Sequence, residues 1–370
     1  MSKAMKEKTQ YNHIFITDGA ITIGRSADCT VTINSMSVAF MQCRIERRAG
    51  RTYLHTIKNS ATTRLNGSIV MGRDILLSAG DSIEFGNVKV YVSEDGVSVD
   101  LPVLGDYLSV KGLTCTRRNS LFGKRVTILD DIYVDVPERS LVAVLGETGA
   151  GKTSFVNAII GYERVDKGEI QINGRDIAND WDTIKQKIGY VPQIDLLRDS
   201  LTVRETLFFA SRLRLSSDVS NREIMSMIEG TLAMLNLDGD TINKRVRTLS
   251  GGERKRVSIA QELIADPQII FLDEPTSGLD PKTEAELVHS LQHLAHNRGK
   301  TLMVVTHTIS NIDCFDKMLF FGKGGRLCYS GDVKAAPRFF GVDSVEDIYY
   351  TVEAGEELYG DKCRRLNGGV

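Results

Sequence analysis

A glycine-rich run at residues 146–153, GETGAGKT, has the clearest chemical potential in this sequence. It fits the spacing GxxxxGK[ST] and directly follows the apolar stretch LVAVL. Glycines let backbone N–H groups fold around phosphate oxygens, and the helix that follows points its positive end at them. Lys152 then supplies a charge for the β and γ phosphates, and the Thr153 hydroxyl supplies a ligand for Mg²⁺. The predicted phosphate site comprises Gly146, Glu147, Thr148, Gly149, Ala150, Gly151, Lys152, Thr153 and Ser154.

Two adjacent carboxylates, Asp273 and Glu274, follow the apolar run IIFL at residues 269–272. Successive side chains of a strand alternate, so the pattern predicts that the two carboxylates point to opposite sides. Asp273 is then expected to face the Mg²⁺, and Glu274 an attacking water that it deprotonates as general base. Taken alone, such a pair also suits a helix cap or a solvated turn. Beside a phosphate loop we interpret it as catalytic.

The composition is that of a globular chain with more than one domain. Of the 370 residues, 42% are hydrophobic and 25% charged, and the formal net charge is -2. The basic stripe typical of a nucleic-acid binder is missing, so no nucleic-acid partner is expected. The six cysteines form no CxxC pair, which argues against a zinc ribbon and a disulfide framework. No run approaches the roughly 18 apolar residues of a membrane span.

Residues 11–95 contain short segments in which apolar and polar residues alternate, separated by turn sequences such as Asn66-Gly67. Many short strands without a convincing helical pattern predict an all-β sandwich. Residues 1–10 are expected to be a disordered N-terminus, and residues 96–107 a linker. The predicted strands are HIFIT, AITIG, CTVTIN, CRIERR, TYLHTI, SIEFG and VKVYV.

From residue 108 to about 345 the pattern changes to an alternation of strands and helices. Apolar runs alternate with long helical segments, which is typical of a mostly parallel sheet covered on both faces. A helix-rich stretch at about 194–250 predicts an inserted helical subdomain. The apolar runs are LVAVLG, KIGYVPQ, IIFLDE and TLMVVTH.

The run LSGGE at residues 249–253 resembles the signature of the ABC ATPases, and the resemblance covers roughly residues 108–345. It implies an α/β P-loop ATPase that hydrolyses ATP with Mg²⁺. It also implies a homodimer of nucleotide-binding domains packed head to tail, so that the ATP held by one phosphate loop is covered by the other protomer. The covering residues implied by the family are Ser250, Gly251 and Gly252.

The same resemblance assigns roles to three further motif residues. Gln193 in YVPQ resembles the Q-loop glutamine, which touches the Mg²⁺ or the water and relays the nucleotide state to the helical subdomain. His307 in VVTH resembles the switch histidine, which bonds the γ-phosphate and acts in catalysis with Glu274. Asp280 in SGLD resembles the D-loop aspartate of the nucleotide site. The implied metal site comprises Thr153, Gln193 and Asp273.

The adenine platform follows from the family alone. Its members place an aromatic residue about two dozen positions before the phosphate loop, and Phe122 has that spacing here. Its ring could stack on the base. Val126 is the alternative and would give apolar contact only.

Several segments resemble the G (White) subfamily of lipid and drug exporters, among them DSLTVRETLFFASRLRL and YSGDVKAAPRFFG. The resemblance implies the ATPase unit of an exporter, held at the cytoplasmic face of the cell membrane by a membrane domain in the same full-length chain or in a separate subunit. Residues 346–370 are expected to be a tail leading toward that domain. A non-transporting ABC ATPase and a scaffold regulated through the first domain are the alternatives.

The first domain resembles the forkhead-associated (FHA) domain, which typically binds phosphothreonine peptides. The resemblance rests on the segments IGRS, VAFMQCRI, LNG and AGDSIEFG. Arg25, followed by Ser26, occupies the place of the family's phosphate-binding arginine. The S-x-x-H element, however, is AFMQ at residues 39–42, and the N-G-T element is ATT at residues 61–63. One arginine alone is a weak site for a dianion, which favours phosphate-independent docking over binding of a phosphopeptide partner.

Overall fold

The structure is a computed structural model. It describes residues 11–15, 19–33, 35, 37–57, 63–72, 74–86, 88–94, 96–100, 106–118 and 125–368. The N-terminus that was predicted to be disordered, residues 1–10, lies outside these ranges. None of the helices within them is both long enough and apolar enough to cross a lipid bilayer.

The first domain is a β-sandwich. In the described part of the chain its strands are β1 (Tyr11–Phe15), β2 (Gly19–Gly24), β3 (Val31–Thr32), β4 (Cys43–Arg48), β5 (Arg51–Thr56), β6 (Thr63–Leu65), β7 (Ser68–Val70), β8 (Ile75–Leu77), β9 (Ser82–Phe85), β10 (Val88–Val92) and β11 (Gly96–Asp100). One sheet has the order β1-β11-β10-β9-β6-β7 and the other β3-β2-β4-β5-β8. Alternate apolar side chains, such as Ile23, Ile45 and Val90, are fully buried in one cluster. The predicted sandwich is confirmed.

The sequence interpretation missed β6, β7, β8 and β11. The last of these corrects the predicted linker, because Gly96–Asp100 pairs with both β1 and β10. Val97 is fully buried, so the alternation of VSVD continues that of the sandwich. Asp106, at the other end of the predicted linker, is buried within the second domain. Its carboxylate accepts a hydrogen bond from Asn173 Nδ2 at 2.6 Å, and its carbonyl accepts one from Thr301 Oγ1 at 3.0 Å.

The second domain contains two sheets. Its strands are β12 (Leu108–Arg118), β13 (Arg125–Val136), β14 (Leu141–Gly146), β15 (Lys167–Ile172), β16 (Arg175–Asp176), β17 (Ile188–Val191), β18 (Ile269–Asp273), β19 (Thr301–Val305), β20 (Lys317–Gly322) and β21 (Arg326–Asp332). The larger sheet has the order β17-β18-β19-β14-β20-β21 and is parallel except at β21. The smaller is antiparallel, with the order β13-β12-β15-β16. Parallel pairing brings the carboxyl ends of β14, β17, β18 and β19 to one edge.

All α-helices of the described residues lie in the second domain. They are α1 (Lys152–Ile159), α2 (Ile177–Ile184), α3 (Val203–Arg214), α4 (Asn221–Met234), α5 (Gly251–Leu263), α6 (Pro281–Arg298), α7 (Ala336–Phe340) and α8 (Glu346–Leu366). The starts of α3, α4 and α5 share one device, a Ser or Thr N-cap with a Glu three residues later that bonds back to it. This capping box satisfies backbone N–H groups that have no partner within a helix. The helices α3 and α4 lie in the predicted helical insertion.

The segment expected to be a tail is a helix packed on the ATPase domain. Helix α8 lies against β21, β20 and β13 and buries Ile348, Val352, Gly360 and Cys363. Burial of such a stripe is the usual reason for a helix to stay docked. Over α8 the expected tail is therefore packed on the ATPase domain, and its course toward a membrane domain stays a prediction.

Candidate active site

The phosphate loop connects two well-packed elements. All residues of β14 are buried, and the strand ends at Gly146, from which the chain turns to Gly151 and the start of α1. Gly151 has φ 97°, and a Cβ there would lie 2.7 Å from the carbonyl oxygen of Ile128. A Cβ on Gly146, which has φ 138°, would lie 2.2 Å from that of Phe321. Only glycine fits both positions, so sterics set the shape of the loop.

Lys152 is buried beneath this loop. Its Nζ donates hydrogen bonds to the carbonyl oxygens of Gly146 and Glu147, both at 2.8 Å. Burial lowers the pKa of Lys152, although the negative charges of Glu274, Asp273 and Glu147 raise it in part. An ammonium group held at the loop by two backbone carbonyls is suited to contact the phosphate chain of a nucleotide.

Thr153 and Asp273 meet beside the loop, with Thr153 Oγ1 3.3 Å from Asp273 Oδ1. Burial raises the pKa of Asp273, and the hydrogen bond from Thr153 opposes that effect. Within the described ranges, no group of three or more His, Cys, Asp or Glu side chains could hold a metal ion. Mg²⁺ is usually bound through one or two carboxylates and the phosphates of the substrate, and the oxygens of Thr153 and Asp273 are ligands of that kind. Gln193, the third residue of the predicted metal site, instead contacts Glu274.

Glu274 lies between the side chains of two other strand ends. Its Oε2 accepts a hydrogen bond from Gln193 Nε2 at 2.7 Å, and its Oε1 lies 2.9 Å from His307 Nε2. The three residues predicted to be catalytic are therefore brought together. The prediction that strand alternation sets the directions of Asp273 and Glu274 was wrong, because β18 ends at Asp273. Glu274 lies beyond the strand with φ 47°, and its carboxylate contacts Gln193 and His307.

The signature run forms an exposed turn at the start of α5. Ser250 caps the helix, since its Oγ accepts from Glu253 N at 3.2 Å and Glu253 Oε2 accepts from Ser250 N at 2.8 Å. Ser250 and Gly251 are exposed, and Gly252 is buried. The run LSGGE is thus also a capping box that fixes an open helix N-terminus.

Asp280 caps α6 through bonds from the backbone N–H groups of Lys282 and Thr283, each at 3.1 Å. In the part of the chain that the structure describes, neither Asp280 nor the signature turn forms a hydrogen bond or ion pair with the phosphate loop. The predicted nucleotide residues therefore form two groups, and a single chain does not join them.

The adenine platform stays a prediction. Phe122 lies outside the described residues. The alternative, Val126, lies on β13 and is 43% exposed.

Two residues near the site escaped the sequence interpretation. Lys255 donates a hydrogen bond to the carbonyl oxygen of Gln193. Burial lowers the pKa of Lys255, although the negative charges of Asp195, Asp273 and Glu274 raise it in part. Its only signal was its position one turn after the signature. Tyr349 on α8 had no signal at all. Burial raises the pKa of its phenol, and the backbone of Gly146 opposes this.

The residues predicted for the FHA ligand site have partners within this chain. Arg25 Nη1 donates to Glu223 Oε1 of α4 at 2.9 Å. Ser26 is buried, and its Oγ accepts a hydrogen bond from Asp28 N at 3.2 Å. Gln42, which replaces the family histidine, accepts from Ala39 N at 3.0 Å and is therefore part of the loop that carries it.

The fold and these contacts define a class of protein. A phosphate loop follows a buried parallel strand, an acidic pair lies at the end of a nearby strand, and His307 follows the strand between them. A capped Ser-Gly-Gly turn stands apart, beside a helical insertion. Together these features define an ATP-binding cassette ATPase, which is a nucleotide-binding enzyme.

Comparison with known proteins agrees. The ABC transporter family model matches residues 129–277, and the FHA domain model matches residues 21–86. The chain is 31% identical over 340 residues to the ABC transporter ATP-binding/permease protein Rv1747 of Mycobacterium tuberculosis, covering 90% of this chain and 38% of that protein. It is 38% identical over 276 residues to the ABC transporter G family member 25 of Arabidopsis thaliana, covering 70% of this chain and 41% of that protein.

Solved structures give the same assignment. A dimeric ATP-binding cassette in a post-hydrolysis state with ADP and Pi shares 27% identity with this chain at a TM-score of 0.55, covering 61% of this chain and 98% of that one. The chain therefore contains an ABC ATPase domain and an N-terminal FHA domain, and it is similar to members of the G family of ABC transporters. Both predicted resemblances are confirmed.

Proposed function

We propose that this chain binds ATP with Mg²⁺, hydrolyses it in a head-to-tail dimer, and thereby powers transport through an ABC membrane domain. That domain would belong to the same full-length chain or to a separate subunit, and the ATPase would lie at the cytoplasmic face of the membrane. The observation that carries the proposal is the cluster of Lys152, Thr153, Asp273 and Glu274 at one edge of a parallel sheet.

Each side chain of the cluster has a chemical task. Lys152 neutralises the phosphates, and Thr153 and Asp273 would hold Mg²⁺, which when bound offsets the negative charge of the phosphates. Glu274 accepts a proton from the attacking water as general base. His307 and Gln193 hold the two carboxylate oxygens, and both side chains can donate a hydrogen bond to a phosphate oxygen or a water at that position.

Dimerisation would complete the site. The turn Ser250 to Gly252 begins a helix and so offers backbone N–H groups to an anion, yet within one chain it does not reach the phosphate loop. A second copy placed head to tail brings this turn, together with the Asp280 loop, to the nucleotide of the first. The similar cassette with ADP and Pi is dimeric, which supports this arrangement.

Transport is supported by the relatives and by one surface. The mycobacterial relative is named an ATP-binding/permease protein, and this chain spans less than half the length of that protein. The helical insertion exposes four large apolar side chains, two after Gln193 and two on α3. They are Ile194, Leu196, Phe209 and Leu213. Exposed apolar groups of this size mark an interaction surface, and we assign it to the membrane domain.

Hydrolysis is tested by measuring phosphate release from Mg·ATP over a range of concentrations of the purified chain. We expect turnover per protomer to rise with concentration, because the site needs two copies. Absence of both phosphate release and ATP retention at concentrations that allow association would overturn the proposal.

Coupling to a membrane domain is tested separately by sedimentation of membranes from cells that express the tagged full-length gene product or operon. Leu213→Glu should lose membrane co-sedimentation or ATP-dependent transport and keep phosphate release. Leu358→Glu, at another exposed leucine on α8, is the matched control and should behave like the wild type. Equal behaviour of the two variants would contradict the assigned surface.

A further inference from the structure

The arginine predicted to bind a phosphate ligand is occupied by carboxylates of the ATPase domain. Arg25 Nη1 donates to Glu223 Oε1 at 2.9 Å, and Arg25 Nη2 lies 3.7 Å from Asp218 Oδ1. Its side chain is only 11% exposed. Partial burial strengthens a charge pair over one on the open surface. Two carboxylates together also carry about the charge of a phosphate dianion.

The loop at residues 39–42 of the sandwich contacts the same segment of the ATPase domain as Arg25 does. This segment, residues 218–223, is called the acidic turn. The loop at residues 39–42 stands where the family places its S-x-x-H element, and its Phe40 N–H donates a hydrogen bond to Asp218 Oδ2. The guanidinium carbon of Arg25 also lies 5.5 Å from the centre of the Phe40 ring. The predicted ligand face of the sandwich, defined by Arg25 and residues 39–42, therefore contacts Asp218 and Glu223 through Arg25 and Phe40.

Hydrogen bonds within the ATPase domain fix the conformation of the acidic turn before any contact with Arg25. Glu223 Oε2 accepts hydrogen bonds from Ser220 N at 2.8 Å and Ser220 Oγ at 2.7 Å, which leaves Oε1 for Arg25. These bonds with Ser220 and the charge of Arg25 keep the pKa of Glu223 below its usual range. Arg212 Nη1 donates to the Val219 carbonyl at 2.7 Å and fixes the turn from α3. A ligand whose geometry is already set loses little entropy on binding.

A second contact joins the sandwich to another part of the ATPase domain. Lys89 on β10 is buried, and its Nζ lies 3.2 Å from Asp180 Oδ1 of α2 and 2.9 Å from Glu84 Oε1. The guanidinium carbon of Arg175 lies 5.5 Å from the centre of the Tyr91 ring. The sandwich thus contacts α2, beside the smaller sheet, through β10, and it contacts α4, in the helical insertion, through its ligand face.

We propose that the ligand of the FHA domain is the Asp218–Glu223 turn of the same chain, and that this intramolecular docking restrains the helical insertion and slows ATP turnover. The two anchors contribute their full free energy only at the present separation of α2 and α4. Any nucleotide-driven movement of the insertion relative to the smaller sheet must break one of them. The restraint on turnover rests on the proposed nucleotide cycle, whereas the docking itself does not.

Hydrogen–deuterium exchange of the full chain tests the docking. Arg25→Glu should speed exchange in residues 37–43 and 216–227 by about tenfold or more, since a charged hydrogen bond contributes that much. Exchange of the Phe40 amide measures the docking directly, because that N–H donates its hydrogen bond to Asp218. The double variant Asp218→Asn, Glu223→Gln removes the charges from the other side, and Gln at that position still permits a capping box. Arg51→Glu, at an exposed arginine of β5, is the control and should change neither segment.

Unchanged exchange in both docking variants would overturn the proposal. The double variant keeps this test valid if Arg25→Glu does not fold. A phosphothreonine peptide that binds the wild-type chain through Arg25 without speeding exchange at residues 216–227 would also overturn it, since the arginine would then be free for a ligand from outside.

Phosphate release tests the restraint. Both docking variants should hydrolyse ATP about fivefold faster or more, the low end of common coupling between sites, and Arg51→Glu should match the wild type. If the docking variants exchanged faster than the wild type but hydrolysed ATP at an equal or lower rate, the proposed restraint on turnover would be overturned, whereas the proposed docking would stand. A wild-type chain without any hydrolysis would instead contradict the proposed function, and the exchange result would stand apart from it.

Discussion

At the scale of single residues, Glu274 is constrained on three sides. Gln193 and His307 each hold one carboxylate oxygen, and the Glu274 N–H donates to the Val305 carbonyl at 2.9 Å. The left-handed backbone at Glu274 costs on the order of 1–3 kcal/mol. Such strain persists only where the surroundings enforce it, and here the carboxylate lies between Gln193 and His307.

We expect Glu274→Gln to reduce turnover by about 100-fold or more, because an amide cannot accept the proton of water as a general base does. Nucleotide binding should persist, since the side chain keeps its shape, and an ATP-bound dimer should accumulate. Phosphate release and size-exclusion chromatography measure the two effects. Glu169→Gln, at an exposed carboxylate of β15, is the control. Turnover like that of the wild type would refute the role of Glu274.

Lys152→Ala should raise the dissociation constant for ATP by about 10- to 100-fold, because it removes a charge-assisted hydrogen bond to phosphate. Calorimetric titration with and without Mg²⁺ measures this change. The exposed Lys111 on β12 provides the comparison, and its alanine variant should bind as the wild type does. Undiminished affinity in Lys152→Ala would count against the phosphate loop.

At the scale of elements, helix ends do much of the positioning. In the proposed function, the start of α1 faces the phosphates and the start of α5 faces the nucleotide of a second protomer. The acidic turn, residues 218–223, leads into α4. Serine and glutamate at α4 and α5 form capping boxes that hold each start open. Each box satisfies the N–H groups of the N-cap residue and of the third helical residue, so the first turn stays ordered while the N–H groups of its first two residues remain at the open end of the helix.

Helix α8 belongs to the ATPase fold, and its removal from the core should be costly. Ile348→Ala should lower the free energy of unfolding by about 2–5 kcal/mol, since Ile348 is fully buried. Leu358→Ala, which changes an exposed leucine of the same helix, should stay within about 0.5 kcal/mol of the wild type. Urea unfolding followed by fluorescence of Trp181, the only tryptophan, reports this domain. Equal effects of the two variants would contradict docking of α8.

At the scale of the whole molecule, the groups needed for one reaction lie at separate places. The phosphate loop and base are at the sheet edge, and the signature turn lies beside the insertion. The sandwich contacts both α2 and α4. Association of two chains and docking of the sandwich therefore act on the same insertion, and we expect nucleotide turnover to reflect their balance.

A mixture of two inactive variants tests the composite site. Lys152→Ala impairs one half of each site and Ser250→Arg blocks the other, so each variant alone should release little phosphate. In a mixed dimer, the phosphate loop of the Ser250→Arg protomer faces the intact turn of the Lys152→Ala protomer. Mixing should therefore restore a substantial part of the wild-type turnover, measured by phosphate release. A mixture as inactive as its components would exclude a shared site.

The sequence by itself determined the features with a local physical cause. The phosphate loop was predictable because the buried strand, the glycines and the helix start are contiguous in the chain. The sandwich and the larger sheet followed from apolar runs of the right period, and the family motifs supplied Gln193 and His307. Local rules also have limits, since β11 continues the alternation of the sandwich but was assigned to a linker.

Only the tertiary structure decided what faces what. Arg25 and Glu223 are 198 residues apart in sequence, and no sequence periodicity predicts that they form a pair. The direction of Glu274 depends on a turn rather than on strand alternation, and α8 stays on the domain because β13, β20 and β21 offer it an apolar surface. Long-range contacts form where folding places complementary surfaces, so charges and apolar stripes show in a sequence while their partners do not.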